Sequence, residues 1–309
     1  MVNRSLFPQT FGKELDQIFL SEYQNQKVTY NQWIKTGSAP EGMDYTEGEL
    51  SNLGNLVEKG EGHLIQFDRP AEGHKKTIDY TSFSLGTTIT REAYKDDRWG
   101  GFKKLPQMLG RSAAFSPEIE VYKMLQEGIT GEQKARDGEN FFYASHPLLK
   151  SSSTSRNLAA TGADISQTTI EAAYEHFDDI LDNEGRPIMS IPRYLIAPLS
   201  KRFEIARTLG SEKNFILPEY SSAYDPNVVN PGFGEVNGLT VILVHKTFMT
   251  NENNWFMLAD NHDLRLWWKE NWETDGWDDK HTKSYLYSVY GRFATFGMDW
   301  RGSFANAGV

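Results

Sequence analysis

The chain has no cysteine among its 309 residues. Disulfides, thiolate nucleophiles and cysteine-based zinc or iron–sulfur centres are therefore excluded. Long apolar runs are missing too. No stretch reads as a bilayer-spanning helix, and the opening MVNRSLFPQTFGKELDQ lacks the hydrophobic centre of a secretory signal. Positive charge is scarce: 32 Lys and Arg against 42 Asp and Glu give a formal net charge of −10. The densest basic points are Lys75-Lys76 and Lys103-Lys104. Phosphate-driven affinity needs clustered cations, so tight direct binding of DNA or RNA is not expected. Enclosing nucleic acid without gripping it remains compatible with this charge.

Motifs for common chemistry are also missing. There is no G-x4-G-K-[ST] phosphate loop and no G-x-S-x-G elbow. The glycines of NPGFGEVNG (230–238) lead toward a strand and not a helix, so they make no helix-dipole cradle. The histidines, at 63, 74, 146, 176, 245, 262 and 281, are never paired at H-x3-H or tighter spacing. No metal site and no cofactor are expected.

Hydrophobic residues make up 39% and charged residues 24%, as in an ordinary globular protein. TFGKELDQIFLSEYQ places Phe11, Leu15, Ile18, Phe19 and Tyr23 near one helical face. The Gly- and acid-rich TGSAPEGMDYTEGELSNLGN that follows (36–55) reads as a mobile surface segment or an arm that orders against a partner. Residues 61–92 read as a β-ribbon. HLIQF alternates, DRPAEGHKK supplies the turn, and TIDYTSFSLGTTIT alternates again with a change of phase near Thr81–Ser82 that predicts a bulge. An isolated ribbon is marginal in water, so this one needs a surface to lie on.

Residues 104–128 predict two helices, or one kinked at Pro117, with Ser116 as a cap and Gly128 as the stop. TTIEAAYEHFDDILDNEG is helical, with Thr168 and Glu171 spaced as a capping box. RYLIAP, GLTVILV, WFMLA, LRLWW and YLYSVYGRFATFGMDW read as strands, and KRFEIARTLG as a short helix. This mixed order defines an α+β fold.

Two constellations invite a chemical reading. Ser145 stands directly before His146 in FFYASHPLL. Neighbours on an extended chain point to opposite faces, and Pro147 holds His146 extended, so a structural turn is expected over a catalytic dyad. Trp267, Trp268, Trp272 and Trp277 fall within eleven residues among acids. That pattern fits a sugar-stacking platform, or aromatic packing at buried interfaces, and packing is the reading preferred. DDRWGGF (96–102) poses the same choice between helix capping and a subunit contact.

DGENFFYASHPLL, REAYKDDRWGGF, TTIEAAYEHFDDILDNEGRPIMSIPRYLIAPLSKRFEIARTL, NPGFGEVNGLTVILVHKTFMTNENNWFMLAD and GRFATFGMDWRGSF, taken in order over about residues 75–305, resemble the Mu-like phage major head subunit family. The resemblance implies a Hong Kong 97-type capsid fold. It implies an N-terminal arm (1–55), an extended loop (56–92), a peripheral domain with a spine helix (93–130 and 262–292, the helix near 104–127) and an axial domain (131–261 and 293–309). Pro117 departs from a straight spine. The function implied is a major capsid protein that self-assembles, as hexamers and pentamers, into the icosahedral head enclosing phage DNA. The implied partners are a scaffolding protein, a maturation protease, a portal and a decoration protein. The location implied is the virion, assembled in the host cytoplasm, with no membrane involved.

No catalytic, cofactor or metal residues follow from the resemblance, and Ser145, His146 and Pro147 become a structural motif. The candidate assembly contacts are Arg69, His74, Lys75, Lys76, Asp96, Asp97, Arg98 and Trp99. The alternatives are a bacterial nanocompartment shell of the same fold, or a carbohydrate-active or serine hydrolase.

Overall fold

Leu15 and Phe19 sit one helical turn apart and are both buried, and this apolar stripe forms the first helix, α1 (Phe7–Asn25). The computed structural model describes residues 7–90, 92, 96, 101–209, 239–282 and 284–308. Within it the chain divides into two units. The first comprises Met1–Tyr45, Thr77–Tyr122 and Arg265–Phe296, and the second Thr46–Lys76, Lys123–Leu264 and Gly297–Val309.

The first unit is built on a four-stranded sheet of order β1-β10-β11-β4, where β1 is Lys35–Ser38, β4 Thr81–Thr90, β10 Leu264–Asp279 and β11 Ser284–Gly297. β1 runs parallel to β10, and β4 pairs antiparallel with β11 from Ser284↔Thr90 to Phe293↔Thr81. Leu15, Phe19, Ile89, Leu109, Ala113, Tyr287 and Val289 form its core. Leu109 and Ala113 belong to α2 (Lys104–Thr130), whose residues 104–122 lie in this unit. The buried Glu118 of α2 accepts the backbone N–H of Thr29 at 3.0 Å and that of Tyr30 at 3.3 Å, holding the short 3-10 turn Tyr30–Gln32.

The second unit holds a sheet of order β12-β9-β7-β8, with β7 Pro192–Pro198, β8 Thr240–Val244, β9 Trp255–Ala259 and β12 Ser303–Asn306. Every residue of β9 is buried. Helices α3 (Gln167–Asp178) and α4 (Arg202–Leu209) accompany it. Two short strands, β5 (His146–Pro147) and β6 (Thr154–Ser155), pair with each other.

Several expectations are corrected. The segment 36–55 is not simply a mobile surface: it carries β1 and β2 (Asp44–Leu50). The ribbon exists but is composed differently. β2 pairs with β3 (Glu72–Asp79), and residues 63–67 form no strand. The supposed turn at 68–76 therefore lies partly inside β3, and the loop is 51–71. The phase change has a physical counterpart, since β3 ends at Asp79 and β4 starts at Thr81 with a different partner.

α2 is one continuous helix with Pro117 inside it, and the Ser116 hydroxyl donates back to the Ser112 carbonyl at 2.7 Å. It stops at Gly131, whose φ of +98° favours glycine, and not at Gly128. Gly128 answers a packing need instead: a Cβ there would lie 2.8 Å from the Phe142 ring. α3 is capped by Ser166 with Thr169 and not by Thr168 with Glu171. Asp97, Arg98, Trp99 and the 230–238 glycine stretch lie outside the described residues.

Candidate functional site

The turn after α2 sets Asp137 against His146. Lys134 and Asn140 form a β-bridge, and the Glu139 carbonyl accepts the Ala135 N–H at 2.8 Å. His146 is fully buried. Its Nδ1 lies 2.6 Å from Asp137 Oδ2, and its Nε2 lies 3.1 Å from Asn157 Oδ1. Asn157 is oriented by its own bonds: Nδ2 donates to the Phe141 and Trp300 carbonyls, and Oδ1 accepts the Tyr143 N–H. Both ring nitrogens of His146 thus face acceptors. The ring stacks on Trp300 at 4.3 Å with an interplanar angle of 7°.

Burial opposes ionisation of Asp137. The hydrogen bond and charge of His146, with the Glu139 N–H, outweigh it and hold the carboxyl below the usual range. Ser145 is exposed. A serine–histidine dyad needs a free imidazole nitrogen facing the hydroxyl; here both nitrogens face other partners.

Beside this centre lies the root of the β2–β3 ribbon. Glu47 and Glu49 alternate along β2 on its half-buried face. Arg136 Nη2 lies 2.9 Å from Glu47. Glu49 takes Asn183 Nδ2 at 2.7 Å and Arg301 Nη1 at 3.5 Å. Arg301 also donates to the Asn183 side chain at 2.6 Å and the Leu181 carbonyl at 3.0 Å. Across the ribbon, Lys76 Nζ donates to the Lys134 and Gly297 carbonyls at 2.5 and 2.8 Å. Burial, and after it Arg136, lowers its ammonium to about 8. The ribbon is therefore supported by its own chain, through charge.

The loop has a polar neck. Ser51 and Ala71 bond to each other, Gly54 and Arg69 donate their N–H groups to Asp68, and Lys150 meets Asp68 and Glu184 at 3.5 and 2.9 Å. Beyond the neck the loop exposes large apolar side chains among charged ones such as Glu58, Lys59 and Glu61: Leu56 (101%), Leu64 (95%) and Phe67 (88%) lead, with Leu53, Val57 and Ile65.

Of the expected contact residues, Arg69 is exposed at the neck, and His74 and Lys75 are exposed on β3. His74 Nδ1 stands 4.0 Å from Glu49. The Lys76 ammonium is engaged within the chain, and Asp96 is exposed. Glu47, Glu49, Asp137, Arg136, Asn157 and Arg301 were missed. The only signal was the alternation of acids in DYTEGEL, which a search for apolar periodicity passes over. Three of the four clustered tryptophans are packing groups: Trp267 meets Tyr45 at 4.5 Å, and Trp268 and Trp272 meet Phe293 at 4.9 and 6.0 Å, whereas Trp277 is 47% exposed.

A long helix, a ribbon with a projecting loop, and two units built on separate sheets define a Hong Kong 97-type capsid fold. Two solved structures share it. The procapsid of bacteriophage JBD30 aligns with a TM-score of 0.52 at 16% identity, over 98% of this chain and 75% of that chain. The capsid of Cyanophage P-SCSP1u aligns with a TM-score of 0.58 at 6% identity, over 92% of this chain and 89% of that chain. A family profile described as phage capsid protein matches residues 76–306. The chain belongs to the phage capsid protein family. The major capsid protein of Escherichia phage Mu is 32% identical over 99 residues. That match covers 32% of this chain and spans only 30% of the relative's length.

Proposed function

We propose that this chain is the major shell-forming subunit of a tailed-phage head. It assembles with copies of itself into the hexamers and pentamers of an icosahedral virion capsid around DNA. The observation that carries this, beside family membership, is the loop at 53–67: its apolar side chains stand in water while the ribbon beneath is locked by charge. Exposed apolar surface of this kind marks an interaction site. A net charge of −10 suits a shell that contains DNA without gripping it.

In this reading the first unit is the peripheral domain with α2 as its spine, and the β7–β8–β9–β12 unit is the axial domain. Arg69, His74 and Lys75 join the loop as contacts. A scaffolding protein, maturation protease, portal and decoration protein act on the shell. The role is structural, without catalysis, supported by the engaged nitrogens of His146. The test is electron microscopy of the purified chain, alone and with its scaffolding protein. Closed shells or capsomers are expected. A strictly monomeric subunit at high concentration with scaffold supplied overturns the proposal.

A further inference from the structure

Two helices of the second unit carry charge where it costs them stability. The inner side of α3 buries Ile170, Ala173, His176 and Phe177. Its outer side exposes Glu171, Glu175, Asp178 and the cap residue Asp179, with the small Ala172 among them. Glu171 and Glu175 stand four residues apart, as do Glu175 and Asp179, and like charges at that spacing repel. Asp178 and Asp179 also sit at the negative end of the helix dipole. The first turn, where acids would be favourable, has none. No ion pair among the described residues includes any of these four carboxylates.

The helix α4 shows the opposite sign. Ile205 is buried, while Arg202, Phe203, Ala206 and Arg207 are exposed on the other side. Arg202 Cζ lies 4.6 Å from the centroid of the Phe203 ring. Arg202 opens the helix, where the dipole disfavours a cation. No carboxylate among the described residues pairs with Arg202 or Arg207. An exposed aromatic ring framed by two arginines has the make-up of an interface anchor. The two faces match each other in sign, and complementary charge of this kind fixes partner and register.

We infer that the outer face of α4 in one subunit seats on the outer face of α3 in a second copy, with Phe203 and Ala206 over Ala172, Arg202 at Asp178 and Arg207 at Glu171. This rests on the self-association proposed above. Arg202 and Arg207 stand about 7.5 Å apart along their helix, and Glu171 and Asp178 about 10.5 Å along theirs. Antiparallel helices therefore let both long arginine side chains reach an acid at once. Each subunit gives one face and receives the other, a heterologous contact of the kind that closes into rings.

Reversal of charge tests this. Arg202→Glu with Arg207→Glu is expected to lower particle yield at least tenfold with scaffold supplied, and so is Glu175→Arg with Asp178→Arg. Each isolated subunit should keep the circular dichroism of the wild type, because all four side chains are exposed. The chain that carries all four changes restores the attraction with its signs exchanged, and its yield should return to within about threefold of the wild type. Particles that form at full yield with either pair alone, or a fourfold variant no better than the pairs, overturn the inference and leave the shell reading standing. A wild-type chain that forms no particles with scaffold supplied overturns both.

Discussion

The root of the ribbon and the loop it carries are chemical opposites. The root is half-buried and held by carboxylates, guanidinium groups and an ammonium: Glu47 with Arg136, Glu49 with Arg301 and Asn183, and Lys76 on two carbonyls. The loop is exposed and carries six large apolar side chains, Leu53, Leu56, Val57, Leu64, Ile65 and Phe67, in water. Single exposed apolar side chains are ordinary, but a cluster of large ones in water beside half-buried charges is more than folding alone requires. The inversion teaches that two tasks are separated along one ribbon. Charge fixes where the ribbon sits on its own subunit, and apolar surface is kept for something outside it. If so, changes near the root should cost subunit stability, and changes in the loop should not.

The largest stability effect is expected at His146, beside the root. His146→Ala leaves the Asp137 carboxylate, with its 6% side-chain exposure, without its partner. Breaking a buried pair in this way costs about 3–5 kcal/mol. Urea unfolding should show a loss of this size, together with release of the Trp300 ring that stacks on the imidazole. A loss below about 1 kcal/mol would break the comparison, because the root's surroundings would then not be a stability centre.

Acid should act next. His176 is buried between Phe177 and Phe304, and its Nε2 has no hydrogen-bond partner among the described residues. Burial first, then the charge of Arg156, lowers it to about 4. The unfolded chain takes up its proton near pH 6.5, so between these values the unfolded state binds more protons. Stability is complete above about 6.5 and falls by up to about 3 kcal/mol as pH drops toward 4. Asp137, held below its ordinary range, contributes stability that is lost at still lower pH. His176→Phe should flatten the first limb of the curve and leave the second. An unchanged first limb would assign the acid sensitivity elsewhere.

At the root itself the effect is smaller. Glu49→Gln keeps an acceptor for Asn183 but removes the charge facing Arg301, which retains Asp299 at 3.2 Å. A loss of about 1 kcal/mol is expected, with faster protease cleavage within 51–71. Raising salt should weaken the wild type toward the variant.

Where the sequence was legible, an apolar period was present. α1, α3, β7, β9 and the aromatic β11 all announce themselves through buried side chains at helical or alternate spacing. β2 was not legible, because its period is written in acids: Glu47 and Glu49 point inward to cations that lie far along the chain. The strand-like HLIQF misled in the opposite direction. Its alternation is real, but no described strand of its own subunit pairs with it. The Ser-His-Pro step was visible in the sequence, but the partners of His146, namely Asp137, Asn157 and Trp300, come together only through the fold. Contacts between distant charged residues carry no local periodicity, so a single sequence does not display them.

The smallest effect on the isolated subunit is expected from the most drastic change of surface. Leu56→Ser, Leu64→Ser and Phe67→Ser together remove three large apolar side chains. Each is 88% exposed or more, so folding hides almost none of their surface. Hydrophobic stabilisation follows the area taken out of water, and little is taken out here. The triple variant should therefore unfold within about 0.5 kcal/mol of the wild type, with the same circular dichroism. In assembly the same side chains go from water into a neighbour, and each is worth about 1.5–3 kcal/mol when fully covered. Even partial covering, repeated at every subunit of a ring, exceeds what a shell can lose. Particle yield measured by sedimentation should fall to background. If the subunit is destabilised instead and assembly survives, the loop belongs to the subunit's own core, and the division of labour between root and loop does not hold.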